Sequence, residues 1–352
     1  MRILITGGAG FIGTALCRYL LKNSNAMLIV LDKLTYASNL QAIEEFSSHP
    51  RYAFIQADIC DAAAVEQAFQ AQTPTALVHL AAESHVDRSI TNASAFIETN
   101  VKGTMILLEA SRRYLSSLSR EAAEAFRFLH VSTDEVFGDL GRNSSDTFRE
   151  TSPYRPSSPY AASKAASDHL VRAWCRTHRF PAIVSNCSNN YGPEQFPEKL
   201  IPLICRHAMN GWPLPVYGDG SQVRDWLHVQ DHARALWCLL VAGEPGATYA
   251  IGARNECRNL DLVRKICREF DHLLPAGAPH EKLITFVPDR PGHDERYAID
   301  PAKITTEIGW RAEIPFEEGL AETVRWYFQN PDWQQMPAQA SEHSSTSERV
   351  PA

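Results

Sequence analysis

The chain has 352 residues, 44% of them hydrophobic and 21% charged, with a formal charge of −7. That composition suits a folded protein of one large or two smaller domains, and the negative balance excludes a surface built to neutralise a phosphate backbone. Its eight cysteines form no Cys-x-x-Cys pair and no apolar run reaches membrane-span length, which excludes zinc ribbons, dithiol redox sites and spanning helices. A cytoplasmic protein with reduced thiols and no nucleic-acid or membrane partner is expected.

Residues 2–6 are an apolar run too short for a signal peptide, and they lead straight into Thr6-Gly7-Gly8-Ala9-Gly10-Phe11-Ile12-Gly13. They read as a strand, with a helix following over 11–21. Glycines at 7, 10 and 13 allow positive φ, close approach of backbone to a pyrophosphate, and tight helix–sheet packing. The helix N-terminus then offers free N–H groups and positive potential to phosphates. A second strand, 26–31, ends at Asp32. A carboxylate about twenty residues past the glycines accepts hydrogen bonds from an adenine-ribose and repels a 2′-phosphate, so NAD is expected rather than NADP. After a third strand, 52–57, Asp58 either reaches toward the adenine or caps the helix over 63–71.

A strand over 76–80 and a helix over 93–115 follow, and then a strand over 126–132 that delivers Ser132-Thr133-Asp134-Glu135. Ligands of open α/β sheets bind at such strand ends. The Thr133 hydroxyl suits a substrate oxygen. Two adjacent carboxylates in a cleft repel each other, so burial raises at least one and lets one donate a proton while the other accepts. The alternative is a solvated acidic turn, or Asp134 as a helix cap. Tyr160 and Lys164 are four apart on a helix over 160–177 and so share one face. A neighbouring ammonium, with a positive nicotinamide ring, favours the phenolate of Tyr160. A strand over 182–187 completes a pattern that predicts an α/β, Rossmann-like, doubly wound parallel sheet.

Beyond 187 the pattern is less regular. Helices are predicted over 199–210, 232–240, 260–270 and 317–328, with strands over 248–251 and 284–287. The expected organisation is an NAD-binding domain over 1–188, with a segment near 223–252 returning to it. A smaller, interleaved C-terminal substrate-binding lobe takes 189–222 and 253–330. The tail, 331–352, is Gln-, Ser-, Glu- and Pro-rich and is expected to be disordered from about Met336.

From residue 1 to about 328 the chain resembles the dTDP-glucose 4,6-dehydratases of the extended short-chain dehydrogenase/reductase superfamily. The likeness rests on three stretches: Ser132-Thr133-Asp134-Glu135-Val136-Phe137-Gly138; Ser188-Asn189-Asn190-Tyr191-Gly192-Pro193 with Phe196-Pro197-Glu198-Lys199; and Asp289-Arg290-Pro291-Gly292-His293-Asp294. Gly218-Asp219-Gly220 with Arg224-Asp225-Trp226 is shared more widely among sugar-nucleotide enzymes. The chain departs from the pattern in having Phe137 for a tyrosine, Glu194 for an aromatic, and a short stretch over 141–159.

The resemblance implies that Tyr160 takes the 4-hydroxyl proton as hydride leaves C4 for NAD, that Thr133 orients that oxygen, and that Lys164 tunes the tyrosine. Glu135 would take the C5 proton, Asp134 would protonate the departing 6-hydroxyl, and hydride would return to C6. It extends the cofactor set from Gly7, Gly10, Gly13, Asp32 and Asp58 to Phe11, Ile12, Lys33, Leu34, Thr35, Ile59, Leu80, Ala81, Ala82, Ser84, Thr99 and Asn190, with Tyr160 and Lys164. Around the sugar nucleotide it puts Ser84, Thr133, Asn189, Lys199, Leu200, Pro215, Val216, Tyr217, Arg224, Asn259, Asp289, Arg290 and His293. Arg224 and Arg290 suit a diphosphate and Tyr217 a base. Read without the resemblance, Arg224 beside Asp225 is a surface ion pair, and Tyr217 and Trp226 are core aromatics. His228-Val229-Gln230-Asp231-His232 implies a strand–helix junction in this superfamily rather than a metal site, and no metal is expected. A homodimer through the helices over 93–115 and 160–177 is also implied.

Rival readings are a 4-epimerase or UDP-glucuronate decarboxylase on the same fold; both oxidise C4 through Tyr and Lys, but an epimerase does not need the Asp-Glu pair. A GDP-mannose dehydratase is disfavoured because Asp32 argues against NADP. A non-catalytic NAD-binding protein is opposed by the intact Thr133, Tyr160 and Lys164.

Overall fold

In the computed structural model, which describes residues 1–335, the first half of the chain alternates strand and helix. β1 (Arg2–Thr6) leads to α1 (Phe11–Asn23), β2 (Met27–Asp32), α2 (Leu40–Ser47), β3 (Tyr52–Gln56), α3 (Ala62–Gln72) and β4 (Ala76–His79). Then come α4 (Val86–Thr91), α5 (Ala93–Phe96), a π-helical turn (Ile97–Gly103), α6 (Thr104–Ser116), α7 (Arg120–Ala125), β5 (Arg127–Thr133), α8 (Pro159–His178) and β6 (Ala182–Cys187). Each start has a local cause. Asn39 caps α2 by accepting from Ala42 N, Asp61 caps α3, and Ser158 caps α8 with Pro159 in its first turn.

The second half runs β7 (Asn189–Tyr191), α9 (Leu200–Met209), β8 (Leu214–Tyr217), β9 (Val223–His228), α10 (Val229–Ala242), β10 (Thr248–Ile251), β11 (Glu256–Arg258), α11 (Asn259–Leu273), β12 (Ile284–Val287), α12 (Ala302–Ile308) and α13 (Phe316–Gln329). Seven strands make one parallel sheet in the order β10-β6-β5-β4-β1-β2-β3. Its central strands are buried along nearly their whole length, because helices cover both faces. The winding reverses between β1 and β4, which opens a crevice at their carboxyl ends. This is the expected fold class. A three-stranded sheet, β11-β9-β7, and the pair β12-β8 carry the lobe.

Two segments differ from the domain bounds read from sequence. Val223–His228 was to return to the large domain, but as β9 it pairs with β7 and β11, and the chain re-enters the large sheet only with α10 and β10. Ile304 and Trp310, expected in the lobe, pack into the large sheet's core beside Leu236 and Tyr249. A Trp deep inside a 253–330 block reads as lobe core from sequence, since nothing local says which sheet it covers.

The helix expected over 93–115 is interrupted by the π turn. A Cβ on Gly103 would come within 2.6 Å of Ile59 Cδ1, so this backbone passes against the end of β3. The tail from Met336 lies outside the described residues. No described helix is long and apolar enough to cross a membrane.

Candidate active site

The crevice above β1 and β4 is built for a dinucleotide. Gly7 has φ +72°, and a Cβ there would come within 2.5 Å of Ala81 N. One on Gly13 would lie 2.3 Å from Gly7 O, backbone against backbone, with nothing able to give way. Gly10 caps α1 without a side-chain bond, so the first N–H groups of the helix stay open to an anion. Asp32 closes the second strand. Burial pushes its carboxyl up, and N–H groups of Leu34 (2.9 Å) and Ala9 (3.0 Å) oppose that push. Each oxygen keeps a lone pair for a ribose hydroxyl.

Of the expected cofactor residues, Gly7, Gly10, Phe11, Ile12, Gly13, Asp32, Lys33, Thr35, Asp58, Ile59, Leu80, Ala81, Ala82, Ser84, Thr99, Tyr160, Lys164 and Asn190 all line this one cleft. Leu34 does not. It sits at φ +61° and lends its N–H to Asp32. Asp58 is no helix cap, because Asp61 takes that role and Asp58 accepts from Cys60 N at 2.9 Å.

At the other end of the cleft, β5 delivers Thr133 and a single 3-10 turn, Asp134–Phe137, carries the two carboxylates. The Thr133 hydroxyl donates to Asp134 Oδ1 at 3.3 Å and accepts from Glu135 N, close enough to Tyr160 to act on its phenol. Asp134 is 1% exposed, so the solvated-turn reading fails. Burial, reinforced by Glu135 and Asp225, holds its carboxyl well above the ordinary range, and Oδ2 has no partner within the protein. That environment favours the protonated form of Asp134 and leaves one oxygen open, which suits a proton donor. Glu135 is also raised by burial, but Arg290, Arg224 and Lys199 pull it back, which suits a base.

Tyr160 departs from expectation. Burial, then Glu135 and Cys187, drive its phenol well above the usual value, with only Thr133 opposing among the leading influences. Lys164 shares its helix face but donates from Nζ to Val131 O at 2.9 Å, and burial lowers its ammonium. The lysine is thus anchored to β5. The chain's own groups disfavour the phenolate, and a positive nicotinamide ring is the charge that would favour it.

Beneath these residues lies a fully buried network that sequence reasoning missed. Asp168, one turn beyond Lys164, accepts from Tyr154 OH (2.7 Å) and Asn186 Nδ2 (3.0 Å) and lies 3.0 Å from His130 Nε2. Asn186 also donates to Thr133 O. Burial alone would raise Asp168, but the His130 and Tyr154 contacts, with Lys164 nearby, hold it below the ordinary carboxylate value. A depressed pKa gives stability that is present above the unfolded value and lost as pH falls through the folded one. Asp168→Asn is therefore expected to cost about 1.5–3 kcal/mol near neutral pH, the usual contribution of hydrogen bonds to a charged group. The gap to wild type should shrink below about pH 4, as measured by urea unfolding at several pH values. A gap constant from pH 7 to 3 would contradict this.

The substrate residues divide. Ser84, Thr133, Asn189 and Lys199 line the same cleft, and Lys199 donates to Ser84 O at 3.0 Å. Arg224 is 5% exposed and makes no ion pair with Asp225. It donates to Asp294 O (2.9 Å) and Val223 O (2.8 Å), and lies 4.2 Å from the Tyr297 ring centre. Arg290 is 3.6 Å from Asp87, and Asp289 is 2.6 Å from His293 Nδ1 and accepts from Gln222. Arg290, Arg224 and Lys199 all act on Glu135, and Arg224 acts on Asp134 as well. Asn259 begins α11, with Oδ1 buried and unpartnered.

Tyr217 is 42% exposed on β8, edge-on to His293, whereas Trp226 is core. Pro215 precedes Val216 on β8. Val216 is 2% exposed inside the lobe core, so its side chain reaches no ligand, and Leu200 also packs on that core. His228 ends β9 and caps α10, and no described cluster of three His, Cys, Asp or Glu is placed to hold a metal. Missed in the sequence were Tyr36 and Gln195, which line the cleft from loops without a motif, and Phe196 and Glu198, which lie in the 196–199 stretch but were given no role there. Asn100 was missed too; it spans Glu83 and Ser163 from within the π turn.

Comparison with known proteins agrees with this geometry. The model of a family described as GDP-mannose 4,6 dehydratase matches residues 4–323. A dTDP-glucose 4,6-dehydratase of Neisseria gonorrhoeae is 58% identical over 332 residues, 93% of this chain and 96% of that relative. The crystal structure of a dTDP-glucose 4,6-dehydratase from Streptomyces venezuelae with NAD and TYD bound is 43% identical, covers 96% of this chain and 100% of its own, and superposes with a TM-score of 0.86. A UDP-glucose 4-epimerase from Thermus thermophilus, complexed with NAD, is 29% identical with a TM-score of 0.81, covering 93% and 99%.

Proposed function

The chain belongs to the dTDP-glucose 4,6-dehydratase family, and from that premise we propose that it converts dTDP-glucose to dTDP-4-keto-6-deoxyglucose with NAD bound. The observation that carries this reading is the pair Asp134 and Glu135 beside Tyr160: a buried neutral acid and a cation-flanked carboxylate on one turn. An epimerase that only oxidises and re-reduces C4 has no use for that pair.

The glycine turn, the open α1 N-terminus and Asp32 fit NAD. When bound, NAD accepts hydride from C4 and gives it back at C6. Tyr160 removes the 4-hydroxyl proton, with Thr133 fixing that oxygen and Lys164 anchoring the helix face to β5. The 4-ketone acidifies C5–H, and Glu135 takes that proton. Asp134 gives its proton to the 6-hydroxyl, which leaves as water, and a proton returns to C5 as C6 is reduced. Arg224, Arg290 and Lys199 hold the diphosphate, and Tyr217 faces the base. A homodimer through α6 and α8 would cover Ile97 in the π turn and Met105 on α6, which are 52% and 40% exposed. The eight free cysteines fit the reducing cytoplasm.

Incubation with a panel of nucleotide-linked glucoses, read by mass spectrometry, tests the reading. Loss of one water from the dTDP sugar is expected, and loss from none of them overturns it. NAD is expected to co-purify. Asp32→Gly should weaken NAD about 10–100-fold and relax discrimination against NADP, since hydrogen bonds to a charged group contribute about 1.5–3 kcal/mol. Titration of both dinucleotides checks this, and unchanged preference would contradict it.

A further inference from the structure

A cofactor that is reduced and reoxidised in every cycle must be retained between the two hydride steps, and the chain's departure at Glu194 lies where retention is decided. The loop over 192–199 leaves the lobe and crosses the cleft, with Gln195, Phe196, Glu198 and Lys199 lining it. On the lobe side it is held by Gln195 N, which donates to Tyr327 OH (2.9 Å), and by Trp333 Nε1, which donates to Gln195 O (3.1 Å). In mid-span, Phe196 meets Tyr36 edge-on at 5.3 Å. Beyond it, Glu198 pairs with Arg88 at 3.1 Å.

Glu194 fastens the near end to the NAD-binding layer. It sits at φ +68°. Its carboxylate accepts from Asn39 Nδ2 at 2.7 Å and pairs with Arg18 NH2 at 3.2 Å. Neither partner lines the cleft itself, but each is tied to a segment that does. Arg18 is on α1, whose N-terminus faces the pyrophosphate, and is braced by Glu45 at 2.8 Å. Asn39 caps α2, and its backbone N–H donates to Ala9 O of the glycine turn at 2.7 Å.

We infer that Glu194, with Arg18 and Asn39, is a clasp that keeps the 192–199 loop shut over the bound dinucleotide and sets its rate of release. Glu194 is a positioning residue: it acts on NAD through the loop. The inference rests on the cofactor assignment above but not on the sugar chemistry. The Glu194 side chain is 20% exposed and Arg18 42%, so the ion pair is partly screened by solvent, and the Asn39 bond to a charged acceptor is the stronger member.

The test is the dissociation rate of NAD from the purified holoenzyme, chased with excess labelled NAD and measured without any sugar nucleotide. Glu194→Ala should release NAD about tenfold faster. Glu194→Gln keeps an acceptor for Asn39 but loses the charge, so its release should be accelerated less. Wild-type release should quicken with ionic strength, and release from both variants should be nearly insensitive to it. Arg18→Gln should repeat the loss of salt sensitivity from the α1 side. A merely structural role would not move that salt response. Release within twofold of wild type in Glu194→Ala, or an unchanged salt response in both Glu194→Gln and Arg18→Gln, would overturn the clasp. A wild-type protein that binds no NAD would remove the cofactor assignment and the clasp together. A protein that binds NAD but dehydrates no sugar would leave the clasp standing.

Discussion

In Glu135→Gln the reduced cofactor should accumulate as soon as dTDP-glucose is added, while loss of water slows by about 10²–10⁴-fold, the usual contribution of a general base. The substitution keeps the size of the side chain and the backbone bond from Glu135 N to Thr133 Oγ1. It removes the carboxylate whose burial-driven rise Arg290, Arg224 and Lys199 oppose. Oxidation at C4 needs only Tyr160 and Thr133, so it should proceed and then stall, because the C5 proton has no acceptor. Stopped-flow absorbance of the nicotinamide reads the first step, and product formation reads the second. If the variant fails even to reduce the cofactor, Glu135 positions the sugar instead. An effect on water loss below about tenfold would also count against a base.

Tyr160→Phe should fail one step earlier. With no phenol oxygen, the 4-hydroxyl proton has nowhere to go, and reduction of the cofactor should fall by about 10²–10⁴-fold. The ring stays and the packing against Phe96 is kept, so melting temperature should hardly change. Because burial and Glu135 drive the phenol far above its ordinary value, wild-type oxidation should quicken as pH rises. The phenylalanine variant should lose that dependence. A variant that oxidises substrate within tenfold of wild type would assign the proton to another group, with Thr133 the nearest candidate.

Much of this site was legible in the sequence because its parts are local. The glycine spacing, Asp32 at a strand end, the Thr-Asp-Glu run and the Tyr–Lys pair each sit within one strand–turn–helix unit. Periodicity places such units correctly. What stayed hidden depends on contacts distant in sequence. Asp168 looks like a solvent-facing helix residue until His130, from β5, and Asn186, from β6, close on it. Ile304 and Trp310 carry no local sign that they cover the large sheet. The pairing of β9 with β7 and β11 joins segments of mixed polarity with short runs, so neither alternation nor length marked them as one sheet. Val216 shows the opposite failure: it neighbours the exposed Tyr217 on a strand whose period of two sends its own side chain into the lobe core. Lys164 was read as acting on Tyr160 from helical spacing and from the resemblance, and spacing gives proximity and not direction. Its ammonium points to Val131 O.

The central claim is that Asp134 and Glu135 turn an oxidation at C4 into an elimination across C5 and C6. The most direct measurement follows hydrogens through one turnover of dTDP-glucose deuterated at C4, together with unlabelled substrate in deuterated water. The account predicts a 4-keto-6-deoxy product with the C4 deuterium in the new methyl group, and solvent deuterium at C5. Deuterium retained at C4, with the 6-hydroxyl still in place and no exchange at C5, would contradict it. The dinucleotide cleft would survive that result; the roles of Asp134 and Glu135 would not.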